Sequence, residues 1–453
     1  MFQKLILLII LLLPAISAQL GAAAPNGKVI TLQEAIEIAL QNNALLKAAR
    51  HAHTASRRQL KKARLDLFPK ADVQLGYSRL DPGTVRRGNV FVEVGRTLVE
   101  QFGTGDPNDV RPGAYSNNFS TVLHVTQPIY NGGANWASVS LAKSREAGRE
   151  YGYENTKQNI IFDIKNRYLR VLQAQELLIL AKKSVQASAG HLRTAQNMLD
   201  VGLRSRTDVL RWDVQNADNE GLVVEAENNL KIAFAAIKQL LGLDPNEEFG
   251  LVPLNFDPDS VQATLDEQIR STKNRHPGLR VSEASVNAQR AGVRIAKAAF
   301  QPKVNFVYQL GWEQNNTLKP DSFSFWAAAV SVTIPLFHSF SNWSNLQAAK
   351  AELSRLQAMK VETERALTFE VIRARLNVDS ALKRYQIAQK AVEHAEENLR
   401  VLNNTYEVGL AANIDVLDAE VVHRKAQTNL INSRYDYWIA RAQLDLATGI
   451  IAQ

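Results

Sequence analysis

Asp415 and Asp418 are three residues apart, a spacing that sets both carboxylates on one face of a helix. Asp208 lies in a matching stretch, Asp208-Val209-Leu210 against Asp415-Val416-Leu417. Acids so placed answer the exposed backbone N–H groups and the positive dipole of a helix start. That role suffices for Asp208, but Asp418 lies beyond what a cap requires. Each stretch follows a glycine, in Val201-Gly202-Leu203 and in Val408-Gly409-Leu410, suited to ending the preceding helix in a left-handed conformation. Thr207 and Asn413 are expected to cap the helices that follow. Other chemistry is poorly supported. His51 and His53 point in different directions on a helix and make a poor metal pair. No Ser-His-Asp order, phosphate loop or paired-carboxylate signature stands out, so the expectation is no enzyme, no metal and no cofactor.

These residues belong to a chain written twice. At an offset of 207, Pro128 falls on Pro335, Asn135-Trp136 on Asn342-Trp343, Val201-Gly202-Leu203 on Val408-Gly409-Leu410 and Gly242 on Gly449. Upstream the offset is 233, which lays Ile36 on Ile269, Arg57 on Arg290 and Pro69-Lys70 on Pro302-Lys303. About 26 extra residues therefore lie between Lys70 and Pro128 in the first copy. Self-similarity at so long a period indicates one architectural half built twice. The first half is read as 25–242, a proline-bearing linker as 243–260 and the second half as 261–453.

Within the first half, 32–67 reads as helix with a break near Asn42-Asn43, and Thr31 with Glu34 resembles a capping box. Val73, Leu75 and Tyr77 alternate with Asp72, Gln74, Gly76 and Ser78, the pattern of a strand with one apolar face. A second strand is expected over 119–127. Between them 81–118, rich in Gly and Pro, reads as a long loop, with 90–94 as an extra hairpin. The stretch 134–200 has no proline and carries Ile161, Ile164, Tyr168, Val171 and Leu178 in a seven-residue rhythm. At 1.5 Å per residue that helix is roughly 100 Å long. A second helix returns over 207–241. The second half repeats the order: helix 261–300, strands 303–312 and 323–334, helix 342–406 and return helix 413–448.

Residues 1–24, with Lys4 before a short aliphatic run and small residues near Ala18 and Ala22, have the form of a secretory signal peptide. The run is shorter than the ~20 residues a spanning helix needs. There is no cysteine, so an exported chain must rely on its core and not on disulfides. The net charge is +8, and part of it is the run Lys47, Arg50, Arg57, Arg58, Lys61, Lys62 and Arg64. In an exported protein a solvated helix face explains that run better than nucleic acid, so no nucleic-acid partner is expected. Trp136 and Trp343 suit packing just past the strands or an interfacial anchor.

Four short strands with apolar faces cannot satisfy their edges alone, whereas a barrel closed from several copies can. The expected fold is mostly α with a small β part: long antiparallel hairpins forming a helical tube, and four strands per copy contributing to one shared transmembrane barrel.

Several motifs support this: Asn42-Asn43-Ala44-Leu45, Arg275-His276-Pro277-Gly278-Leu279, Pro69-Lys70, Pro302-Lys303, Gln127-Pro128-Ile129-Tyr130-Asn131-Gly132-Gly133 and Ile334-Pro335-Leu336-Phe337. With the paired Val-Gly-Leu and Asp-Val-Leu tips, they give a chain that resembles the TolC family of outer-membrane efflux and secretion ducts. The resemblance implies a homotrimer in outer-membrane lipid with its helices in the periplasm, meeting a periplasmic adaptor protein and an inner-membrane pump. It implies a passive duct for small molecules or polypeptides, Asp415 and Asp418 making acidic rings at the tunnel mouth, and a closing hydrogen bond between Tyr406 and Asp208. A second latch in the family pairs an arginine near Ala411 with a threonine matching Thr207. That arginine is missing, leaving Arg204 or Arg206 to replace it or the mouth to be held less firmly. Val201, Gly202, Leu203, Val408, Gly409 and Leu410 resemble the adaptor-contacting surface. The rival is a structural coiled-coil protein of the envelope, which the alternating strands disfavour.

Overall fold

The computed structural model describes residues 29–451 except 104, 108–109, 111–113, 255–262, 316–323, 338–339 and 409. The signal-peptide reading of 1–24, Gly409 and most of the 243–260 linker's second part lie outside the described residues.

In order, the chain forms β1 (Val29–Ile30), α1 (Leu32–Asn42), α2 (Ala44–Leu65), β2 (Lys70–Arg79), α3 (Pro82–Phe102), β3 (Asn117–Asn131), α4 (Ala134–Asp200) and α5 (Arg206–Leu241). It continues through β4 (Gly250–Leu251), α6 (Leu265–Arg275), α7 (Pro277–Ala298), β5 (Lys303–Asn315), β6 (Ser324–Thr333), α8 (Ser341–Glu407) and α9 (Asn413–Ala447).

Local chemistry repeats with the sequence. Thr31 and Glu34 close a capping box at α1, and Thr264 and Glu267 do the same at α6. Asn43 and His276 are both C-cap of one helix and N-cap of the next, in extended conformation. This is the break foreseen near Asn42-Asn43. The long helices α4 and α8 have 67 residues each. Their packing seam falls on small residues seven apart: Ala181, Ser188 and Ala195 on α4, and Ala374, Ala381, Ala388 and Ala395 on α8, all buried. On α9 the seam is Ala419, Ala426 and Ser433. A seven-residue repeat keeps one stripe facing the partner helix, and small side chains let the backbones approach.

Four strands form one antiparallel sheet in the order β2-β3-β5-β6. Lys70 pairs with Thr126, Asn131 with Lys303 and Lys303 with Thr333, so the four helices joined to the strands there, α2, α4, α7 and α8, all leave the sheet from one end. β3 runs beyond β2 at that end, and its register slips between Pro128 and Tyr130, where proline cannot donate to the ladder. Across the sheet Val73, Leu123, Leu310 and Trp326 form one row, which places Leu75, Tyr77 and Val330 on the same apolar face. Asp72, His124 and Gln309 form a polar row opposite, where Gln309 meets His124 at 3.2 Å. Val73, Leu75, Trp326 and Val330 are exposed on the isolated chain, and among the described residues β2 and β6 are unpaired at their outer edges.

The principal core lies where β1 and β4 pair in parallel beside α1, α4 and α5, around Ile30, Ile36, Ile161, Ile164, Tyr168 and Leu251. The buried Tyr168 hydroxyl reaches the carbonyls of Ile30 at 3.1 Å and Val252 at 2.7 Å. No helix among the described residues is long and apolar enough to cross a membrane.

Two expectations are corrected. The region 81–118 is not simply a loop and 90–94 is not a hairpin: α3 occupies Pro82–Phe102. Pro82 sits at the first helical turn, where it costs no hydrogen bond, and the Asp81 carboxylate accepts from Gly83 N at 2.8 Å and Thr84 N at 3.1 Å. The linker also holds β4, which exists only through its pairing with β1.

Candidate functional site

The two hairpins, α4 with α5 and α8 with α9, end in tips far along the chain from the sheet. In the first, Gly202 adopts φ +78°, and Leu203 N returns to the Met198 carbonyl at 2.8 Å, satisfying the end of α4. Ser205, not Thr207, caps α5. It is extended, its Oγ accepts from Asp208 N at 3.3 Å, and the Asp208 carboxylate accepts from Ser205 N at 3.2 Å. Thr207 already lies within the first turn and is exposed.

In the second tip Ala412 holds the cap position. It offers no side-chain oxygen, so the Asp415 carboxylate alone closes the turn, accepting from Ala412 N at 3.3 Å. Asn413, expected as the cap, is instead the first helical residue. It is buried, and its Nδ2 donates to the Asp208 carbonyl at 3.2 Å, joining the tips. Asp418 is exposed and has no hydrogen bond or ion pair among the described residues. The equivalent position in the first half is Arg211, so the acidic pair belongs to the second tip alone.

The Tyr406–Asp208 hydrogen bond implied by resemblance is not formed. The Asp208 carboxylate serves its own capping box, and the buried Tyr406 hydroxyl has no partner among the described residues. Arg204 takes that place. Its Nη2 donates to the Ala411 carbonyl at 3.1 Å, and its guanidinium lies 4.5 Å from the centre of the Tyr406 ring. Arg204 and Ala411 are equivalent positions of the two halves, so the cation missing from the second tip is supplied by the first.

Behind this clasp Trp212, Tyr406, Val416 and Ala195 form a small core. His191 stacks on Trp212 at 4.4 Å and meets Glu420 at 3.2 Å, another link from α4 to α9. Sequence reasoning did not single out His191, Trp212 or Glu420. The one available signal was that a large Trp212 stands where the second half has Ala419, making room for packing between unlike tips. The outermost residues are apolar and exposed: Val201 69%, Leu203 73%, Val408 69% and Leu410 83%.

At the other end of the helices Trp136 and Trp343 are both exposed on the chain. Among the described residues only His53, Glu146 and Glu150 bring three metal-ligand types together, with donor atoms within 4.8 Å. Glu146 also lines a cavity of about 590 Å³ with Arg57, Arg58, Lys61 and Arg64, whose charge opposes a cation there.

The geometry agrees with comparison to known proteins. The family described as outer membrane efflux protein matches residues 35–243 and 269–450. The outer membrane protein TolC of Vibrio cholerae is 24% identical over 347 residues, 75% of this chain and 78% of that protein. The proteases secretion protein PrtF of Dickeya chrysanthemi is 24% identical over 453 residues, covering 98% and 92%. Among solved structures, CusC superposes with a TM-score of 0.79 at 18% identity, covering 95% of each chain. The Campylobacter jejuni CmeC outer membrane channel gives 0.76 at 20% identity, covering 93% of this chain and 86% of that one.

Proposed function

This chain belongs to the outer membrane efflux protein family, and from that premise we propose that three copies assemble into one duct whose periplasmic mouth is ringed by Asp415 and Asp418. As a family member it is an outer-membrane duct for efflux or secretion, with its helical part in the periplasm. The observation that carries the trimeric reading is the sheet. Its exposed apolar face and the free edges of β2 and β6 are satisfied together when copies join edge to edge into a membrane barrel. The polar row of Asp72, His124 and Gln309 then faces the pore.

Within each copy the Arg204 clasp and the Asn413–Asp208 bond hold the two tips together, with Tyr406 as the ring on which Arg204 rests. Asp208 acts through its carbonyl, and exposed Thr207 is left to meet a neighbouring copy. The apolar tips at Val201, Gly202, Leu203, Val408, Gly409 and Leu410 are the surface for a periplasmic adaptor, which links the duct to an inner-membrane pump. The cargo is small molecules or polypeptide, the latter in keeping with the name of the PrtF relative. On detergent gels the unheated protein is expected to run as a trimer and the boiled protein as a monomer. A chain that is monomeric after reconstitution into lipid overturns this reading.

A further inference from the structure

α3, the insertion that distinguishes the first half, presents a surface that nothing among the described residues covers. It starts directly after Arg79–Asn117, the last pair of β2 with β3, and the helical body leaves from the opposite end of that sheet. In an outer-membrane duct with periplasmic helices, α3 therefore stands at the outer rim of the membrane. At that rim Tyr77 and Phe119 pack with ring centres 5.1 Å apart on the sheet's apolar face, where aromatic side chains gather at a membrane boundary.

One side of α3 is occupied. Gly88 and Gly95, seven apart, let Ala114 and Val110 of the returning chain approach closely. Asn89 Nδ2 donates to the Ala114 carbonyl at 2.8 Å, Ala114 N donates back to Asn89 Oδ1 at 2.9 Å, and Arg96 Nε donates to the Val110 carbonyl at 3.1 Å. Another side is apolar and bare: Phe91, Val94, Leu98 and Phe102 recur at helical spacing and are 86%, 52%, 53% and 83% exposed. Arg86 and Arg87, also exposed, precede this stripe, while Glu93 and Glu100 lie on a different face.

We propose that α3 is an interfacial helix lying in the outer leaflet of the membrane, with Phe91, Leu98 and Phe102 among acyl chains and Arg86 and Arg87 on lipid phosphates. The pattern is that of helices that lie in a membrane surface: a large apolar face, low net hydrophobicity and flanking cations. Two observations favour lipid over a second copy of the chain. Only Leu80 and the Asp81 cap separate α3 from β2, whose row Val73, Leu75 and Tyr77 already faces acyl chains. Three helices meeting over the pore would also set Arg79, Arg86 and Arg87 of each copy against one another, whereas lipid phosphates neutralise them.

The chain has no cysteine, so a single substitution places one spin label in the full-length protein. Phe91→Cys, Val94→Cys, Leu98→Cys and Phe102→Cys sample the stripe, and Glu93→Cys and Glu100→Cys the other face. In phosphatidylcholine vesicles containing lipid A, collision with oxygen relative to a water-soluble nickel chelate should be severalfold higher along the stripe than at Glu93 and Glu100. Adding Arg86→Gln and Arg87→Gln should lower that ratio with lipid A present and not in phosphatidylcholine alone. Equal chelate access at both faces overturns the proposal. Dipolar broadening between labels at Phe102 also overturns it, by placing a second copy against the stripe. Four stripe positions keep the test decisive if a label at one of them prevents assembly.

Discussion

Substituting Arg204 with alanine removes from each tip the hydrogen bond to the Ala411 carbonyl at 3.1 Å and the guanidinium lying 4.5 Å from the Tyr406 ring centre. A hydrogen bond from a charged donor contributes about 1.5 kcal/mol, taken low because Arg204 is half-exposed. A cation over an aromatic ring adds roughly 0.5 kcal/mol at such a site. About 2 kcal/mol per copy raises the ratio of parted to joined tips on the order of 30-fold. Folding should survive, because Trp212, Tyr406 and Val416 remain packed and Asn413 still donates to the Asp208 carbonyl. The assay is the fraction of time that purified trimers spend at high conductance in a planar bilayer. Arg204→Ala should raise that fraction well above the parent, with Arg204→Lys between the two. Identical gating in Arg204→Ala and the parent, with trimers intact, would refute the clasp.

Tyr406→Phe removes a buried hydroxyl that has no partner among the described residues, so the unfolding midpoint should hold or rise and gating should not change; a channel opened by this substitution would mean that Tyr406 finds a partner in the assembled duct. Replacing Asp415 and Asp418 together with alanine should weaken cation preference and block by trivalent cations from the periplasmic side, whereas Asp208→Ala should leave both unchanged; full selectivity in the double variant would reduce the pair to helix-start acids. Burial holds the His276 imidazole below its usual pKa, and its neutral Nδ1 accepts from Gly278 N at 3.0 Å. The unfolded chain then binds the extra proton, so stability falls as pH drops through about 6.5 toward the folded-state value. His276→Asn, the residue that Asn43 supplies at the equivalent cap, should flatten this dependence of the unfolding midpoint; an unchanged slope would place the titrating group elsewhere.

What could be read in the sequence was whatever local pattern decides. The heptads of α4, the glycine at 202 and the alternation in β2 each follow from side-chain period or backbone freedom, and the structure keeps them. α3 was missed because its glycines looked like loop residues. Gly88 and Gly95 are instead a contact face, visible only once Val110 and Ala114 return beside them. The β-branched run Val90 to Val94 suggested a hairpin, yet the spacing of Phe91, Leu98 and Phe102 is helical and decides the outcome. β1 and β4 are two residues each, too short to carry a pattern, and exist through each other. At the tips the sequence placed Asp208, Asp415 and Asp418 but not their partners. Which residue caps a helix depends on the dihedrals of Ser205 and Ala412, and the clasp depends on Arg204 crossing to an equivalent position in the other half.

The account rests on a chain that closes into an open conduit across the outer membrane. Single-channel recording of the purified, reconstituted protein tests this most directly. It should show discrete, cation-preferring conductance that a trivalent cation blocks from the periplasmic side. Trimers that insert into the bilayer and pass no ions, with Arg204→Ala equally silent, would contradict it.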